Sequence, residues 1–166
     1  MKLRRIVTGF DERGRSVFTE DATLEAPWLP GVGEVCTAWS GNEPATYPAG
    51  SYADPGADGF FPPVGGVRVL ISTLAPEGTP DQEHTHEAAA GVADVMEDDE
   101  PGMHTSDTTD FNLILEGRAI LELDDGVEVH IAAGDLIVQN GTRHRWRNPY
   151  DVPMKIATFM VGAHRG

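Results

Sequence analysis

Residues 103–117 read Met-His-Thr-Ser-Asp-Thr-Thr-Asp-Phe-Asn-Leu-Ile-Leu-Glu-Gly, and residues 134–148 read Gly-Asp-Leu-Ile-Val-Gln-Asn-Gly-Thr-Arg-His-Arg-Trp-Arg-Asn. Each stretch is a short apolar run bounded by Gly, Asp or Asn, which predicts strands over Thr109–Glu116, Leu136–Gln139 and His144–Arg147. Between them lie two further strands, Arg118–Leu123 and Val127–Ile131. They are joined by Asp124-Asp125-Gly126, where a glycine can take the positive φ of a tight hairpin turn. Alternation along a strand puts Asp110, Asn112 and Ile114 on one face. It likewise puts His144 and Trp146 together, with Arg143, Arg145 and Arg147 on the opposite side.

The rest of the chain repeats this rhythm. Leu3–Thr8, Ser16–Thr19, Gly33–Trp39, Val67–Leu74 and Met154–Val161 are further strands, and Asp11–Gly14 is a turn. Glycine (19) and proline (12) make up almost a fifth of the 166 residues, and long helical periodicity is absent. The pattern is that of an all-β sandwich or barrel. Two stretches interrupt it. Residues 41–66 form a Gly- and Pro-rich loop anchored by Tyr47, Tyr52, Phe60 and Phe61. Residues 75–103 are polar, with one short helix expected at Glu87–Met96 and a solvated acidic run from Asp94 to Glu100. No repeat and no linker divides the chain, so residues 1–166 are expected to form one domain.

Charge narrows the function. Twelve Lys and Arg stand against 27 Asp and Glu, a net charge of −15. Nucleic-acid backbones and anionic lipid surfaces both call for clustered cations, so neither partner is expected. Cys36 is the single cysteine; it has no disulfide partner in the chain and reads as a buried strand residue. No basic leader with an apolar run and no window of 18 apolar residues is present, so a cytoplasmic location is expected.

The two quoted stretches resemble the paired motifs of the cupin superfamily, G-x5-H-x-H-x3,4-E-x6-G and G-x5-P-x-G-x2-H-x3-N. Gly117 closes the first motif, Asp110 falls at its glutamate, His104 at its first histidine and Ser106 at its second. Gly134-Asp135 opens the second motif and His144-x3-Asn148 closes it, with Gln139-Asn140-Gly141 in place of the proline turn. The resemblance is close over roughly residues 100–162. It implies a double-stranded β-helix, or jelly-roll, barrel and, by family analogy, a homodimer. It also implies a divalent transition metal (Fe, Mn, Ni or Zn) held by His104, Asp110 and His144, a reduced set that leaves open coordination positions. Asn112 and Trp146 are expected in the pocket beside it.

Three functions follow from that resemblance. The first is a metal-dependent lyase, of decarboxylase or dehydratase type, on a small oxygenated acid or carbonyl compound. The second is a non-haem Fe(II) dioxygenase, since two histidines and a carboxylate make a facial triad. The third is a small-molecule binding module without catalysis. His84-Thr85-His86-Glu87 has H-x-H spacing but sits in a polar segment and reads as surface or lid. His130 is expected to face solvent, and His164 lies near the chain end. The arginines at 143, 145 and 147 are expected to form a solvated or dimer-facing ladder balancing the acidic surface.

Overall fold

A computed structural model describes residues 1–47, 59–81 and 92–166. Its strands are β1 (Lys2–Phe10), β2 (Ser16–Glu25), β3 (Trp28–Leu29), β4 (Gly33–Gly41), β5 (Val67–Leu74), β6 (Thr108–Glu116), β7 (Arg118–Glu122), β8 (Glu128–Ala132), β9 (Leu136–Asn140), β10 (Arg145–Arg147) and β11 (Met154–Gly162). One helical turn, α1 (Val92–Val95), precedes β6. The order is β3-β4-β5-β11-β6-β9 in a six-stranded sheet and β10-β7-β8 in a three-stranded one, and β1 and β2 form a separate ribbon. From β6 onward the chain passes back and forth between the two larger sheets, as in a jelly roll.

The predicted strands are present with boundaries shifted by a few residues, the largest change being β2, which runs six residues past its expected end. The two-residue β3 pairs with the start of β4. Of the expected helix at Glu87–Met96, residues 92–95 are helical and residues 87–91 lie outside the described residues. The hairpin turn closes through Asp125 and Gly126 at φ 59° and 68°.

Two apolar clusters hold the sheets together. Ile114, Ala119, Leu121, Ile131, Met154 and Ile156 join β6, β7, β8 and β11. Leu29, Val35, Leu70 and Met160 form the second, against which Phe60 and Phe61 pack from the long loop. Tyr47 is exposed rather than anchoring that loop, because its ring reaches neither cluster; Tyr52 lies outside the described residues.

The passage from β6 to β7 takes one residue. Gly117 sits at φ 75°, and a Cβ there would lie 2.8 Å from the Pro153 carbonyl oxygen, so only glycine turns this corner without strain. Next to it, the 133–135 link between β8 and β9 is stitched down: the Ala133 amide donates to Gly117 O at 3.0 Å and the Gly134 amide to Ile114 O at 2.9 Å. The opposite sheet edges, β3 and β10, flank a groove also lined by Trp28, Glu77, Asp81 and Arg147.

The ribbon lies along β4, where Arg5 Nη1 donates to Ala38 O at 3.1 Å and the N-terminal ammonium pairs with Glu34. Cys36, on β4, is buried, and burial pushes its thiol up.

Candidate functional site

β6 and β9 bury the faces that composition alone would leave outside. Along β6, Phe111, Leu113 and Leu115 are exposed, whereas Thr108, Asp110 and Asn112 are buried. Along β9, Leu136 and Val138 are 61% and 48% exposed while Gln139 is 5% exposed. A buried polar row on an apolar strand signals a site more strongly than any exposed leucine. Asp110, Asn112 and Gln139 line one wall of a cavity of about 190 Å³ between the sheets, and Phe60, Leu70, Trp146 and Met160 line the apolar remainder. No lysine or arginine lines it among the described residues.

His104 and His144 also line it. Their backbones form a two-bond antiparallel bridge, His104 amide to His144 O at 3.0 Å and His144 amide to His104 O at 2.9 Å. Their ring centroids are 4.3 Å apart. Nδ1 of His104 lies 3.1 Å from Gly102 O, and Nδ1 of His144 lies 2.8 Å from Thr142 O. A carbonyl only accepts, so each Nδ1 carries the proton and each Nε2 keeps its lone pair. Burial and the neighbouring His104 push His144 down to about 4. Burial also lowers His104, with the Gly102 carbonyl and the Glu97 carboxylate opposing it.

On the sheet wall, Asp110 and Gln139 are direct partners across β6 and β9. Burial pushes the Asp110 carboxyl up to about 6, partly opposed by the Thr108 hydroxyl. Ser106 and Thr108 share a hydroxyl–hydroxyl hydrogen bond at 2.8 Å, in which either can donate. A second relay runs from Thr158 Oγ1 to Asn112 Oδ1 at 2.8 Å, and from Asn112 Nδ2 to Gln139 Oε1 at 2.6 Å. Two buried atoms at this wall, Asp110 Oδ1 and Gln139 Nε2, have no hydrogen-bond partner.

The structure therefore brings His104 and His144 together and puts Asp110, Asn112 and Trp146 in the same cavity. It does not gather the three donors expected of a metal centre: among the described residues, no three His, Cys, Asp or Glu side chains are grouped to hold an ion. The two histidines meet in an isolated bridge before β6 and β10, whereas Asp110 lies within β6, opposite Gln139 and Met160. An aspartate is one methylene shorter than the glutamate of the motif, and Ser106 is spent on Thr108. Asn112 has its amide engaged at both ends and acts on the cavity through Gln139.

His84 and His86 lie outside the described residues. His130 is exposed, bonded to the Tyr150 hydroxyl at 2.9 Å. The arginine row is half-buried and bound to the chain's own acids, which differs from a solvated ladder. Arg143 pairs with Glu97, Glu100 and Asp124; Arg145 and Arg147 enclose Glu122. Gln139, Thr108 and Thr158 were not singled out in the sequence. Gln139 had a readable signal, a polar residue sharing the inward face of Ile137.

A family model for the cupin domain matches residues 91–162. This segment is a cupin domain. It includes both histidines and both polar relays. In sequence, 62 residues are 44% identical to the oryzines biosynthesis cluster protein J of Aspergillus oryzae, covering 37% of this chain and 35% of that protein. A stretch of 57 residues is 39% identical to the phomopsin biosynthesis cluster protein C' of Diaporthe leptostromiformis, covering 34% and 30%. The match thus spans about a third of the length of these curated relatives. Among solved structures, a Cupin 2 conserved barrel domain protein from Salinispora arenicola is 22% identical with a TM-score of 0.38, over 58% of this chain and 64% of that one. A double-stranded β-helix domain protein from Klebsiella pneumoniae is 18% identical with a TM-score of 0.41, over 60% and 70%. No helix among the described residues is long and apolar enough to cross a membrane.

Proposed function

We propose that the cupin domain binds a small neutral carbonyl compound in the cavity and moves a proton at the carbon next to its carbonyl, as a lyase or isomerase. The observation that carries this reading is the His104–His144 pair, two clustered imidazoles whose Nδ1 atoms are fixed by carbonyls and whose Nε2 atoms are free to accept. Of the two, His104 is assigned as the base, since the Glu97 carboxylate opposes the lowering by burial there while burial and His104 push His144 to about 4. The proton passes from carbon to an imidazole Nε2 and returns to the product, and Asp110, near 6, gives or takes a proton at a substrate oxygen.

Size and charge support a neutral substrate. About 190 Å³ corresponds to about six waters at ~30 Å³ each. A carboxylate buried there meets no cation among the described lining residues, and unpaired buried charge is costly. The carbonyl class is therefore favoured over the oxygenated acid. Participation of the relatives in biosynthesis clusters, as their names state, agrees with small-molecule chemistry.

No step is routed through a metal, because the clustered donors among the described residues are two imidazoles rather than three ligands. The test is proton exchange: incubation in D2O with a panel of small ketones, followed by proton NMR. Loss of the signal next to the carbonyl, abolished in His104→Ala, supports the reading. Compounds that bind without exchanging would overturn it. Elemental analysis of tag-free protein bears on the metal reading: one tightly held ion per chain would require a donor beyond this pair and would restore metal-assisted chemistry.

A further inference from the structure

The cavity wall holds two unpartnered buried atoms of opposite kind, side by side. Gln139 and Asp110 pair directly between β9 and β6, and residues so paired hold their Cβ atoms about 4.5–5.5 Å apart. Gln139 is 5% exposed and Asp110 7%. Neither serves the other: Gln139 Nε2 and Asp110 Oδ1 both remain without a partner.

The polarity of Gln139 is set by the relay behind it, and that of Asp110 by its charge. Thr158 donates to Asn112 Oδ1, so Asn112 presents Nδ2 to its other side, and Nδ2 donates to Gln139 Oε1. The Gln139 amide therefore cannot flip without losing a 2.6 Å bond, and its Nε2 is a fixed donor. On the other strand, Asp110 Oδ1 belongs to a carboxylate, which when ionised only accepts. Leaving either atom unmet in a dry cavity is costly, and each cost is removed only by a ligand of matching polarity.

We infer that Gln139 and Asp110 are the specificity-determining pair of this cavity, reading a ligand that carries a carbonyl oxygen next to an O–H or N–H group. The carbonyl oxygen accepts from Gln139 Nε2, and the adjacent hydroxyl or N–H donates to Asp110 Oδ1. Neutral hydroxyketones and lactams present this pattern; simple ketones, ethers and lactones present only half of it. The inference rests on the cavity being the ligand site, as proposed above, and specifies what it selects.

A matched pair of bicyclic probes tests it. Dihydroquinolinone, a lactam, and dihydrocoumarin, its lactone counterpart, share shape and carbonyl and differ in one N–H. Binding is measured by ligand-observed NMR titration at pH 7.5, above the Asp110 value of about 6. The lactam should bind about tenfold more tightly, the effect of one hydrogen bond to a charged group. Asp110→Asn should abolish or reverse that preference, because the charge is lost and an amide can donate where the carboxylate only accepts. Gln139→Met should weaken both probes alike and leave their ratio intact. A structural role alone would not separate the two variants in this way.

Equal affinity of wild-type protein for lactam and lactone overturns the inference while leaving the cavity as a site. Failure of both probes to bind overturns the inference and the cavity reading together. A lactam preference without proton exchange on any ketone upholds it and overturns the catalytic reading alone.

Discussion

The imidazoles of His104 and His144 are held in the same way: each Nδ1 is bonded to the carbonyl two residues earlier in its own segment, Gly102 and Thr142. With centroids 4.3 Å apart, the pair cannot take two protons at little cost. Removing one ring should therefore free the other. In His104→Ala, His144 should titrate above its present value of about 4 yet stay below 6.5, because burial remains. Proton NMR of the imidazole Cε1–H across pH 3–8 checks this; an unmoved His144 would show that the two rings do not sense each other.

Stability against pH should look flat for a reason that single variants expose. His144 falls from 6.5 to about 4 in the fold, so the unfolded chain binds more protons between those values and stability drops as pH falls through them. Asp110 rises from 3.8 to about 6, so the folded chain binds more protons there and stability drops as pH rises. Each effect is about 3 kcal/mol at its limit, by ~1.4 kcal/mol per pH unit, and they oppose each other. His144→Gln should leave a protein that loses stability from pH 4 to 6, and Asp110→Asn one that gains it. Urea unfolding at several pH values reads both slopes.

Packing gives a stability contrast between neighbouring strands. Ile114 is 1% exposed between the sheets, while Leu136 is 61% exposed on the outside. Ile114→Ala should cost about 2–5 kcal/mol and Leu136→Ala within about 0.5 kcal/mol. Thermal unfolding monitored by circular dichroism distinguishes them. Similar losses would mean that the exposed face of β9 is covered in solution.

Gly14 and Gly117, two of the glycines at positive φ, should respond differently to alanine. Gly14 has φ 73° with nothing near its missing Cβ, and the cost is the left-handed backbone, about 1–2 kcal/mol. Gly117 adds contacts of 2.8 Å and 3.0 Å to Pro153 O and Met154 Cα, both backbone, so Gly117→Ala should cost clearly more. Paired denaturation curves test the order.

Much of this was legible in the sequence because it depends on neighbours in the chain. Alternation placed Asp110, Asn112 and Ile114 on the inner face of β6, and the Asp124-Asp125-Gly126 turn marked the β7–β8 hairpin. The His104–His144 approach came through the motif, since 40 residues separate them and local pattern carries no such information. Gln139 was hidden for a different reason. Its role comes from a bond to Asn112, 27 residues away, and from Thr158 beyond it. The three-donor reading followed residue types, whereas grouping depends on where each donor sits along its strand. Phe60 and Phe61 enter the cavity wall from a loop whose packing no periodicity encodes.

The one-residue corner at Gly117 gives the protein the mechanics of a bound book. Its spine is covalent and short, with Gly117 and the 133–135 link pinned by amide bonds to Gly117 O and Ile114 O. The fore-edge, between β3 and β10, is fastened by lighter means: the Arg147–Glu77 pair at 3.3 Å and the Glu77 amide on Asn148 O at 2.8 Å. Trp146 lines both the cavity and the fore-edge groove, so the two spaces share a wall on the side that no covalent corner closes.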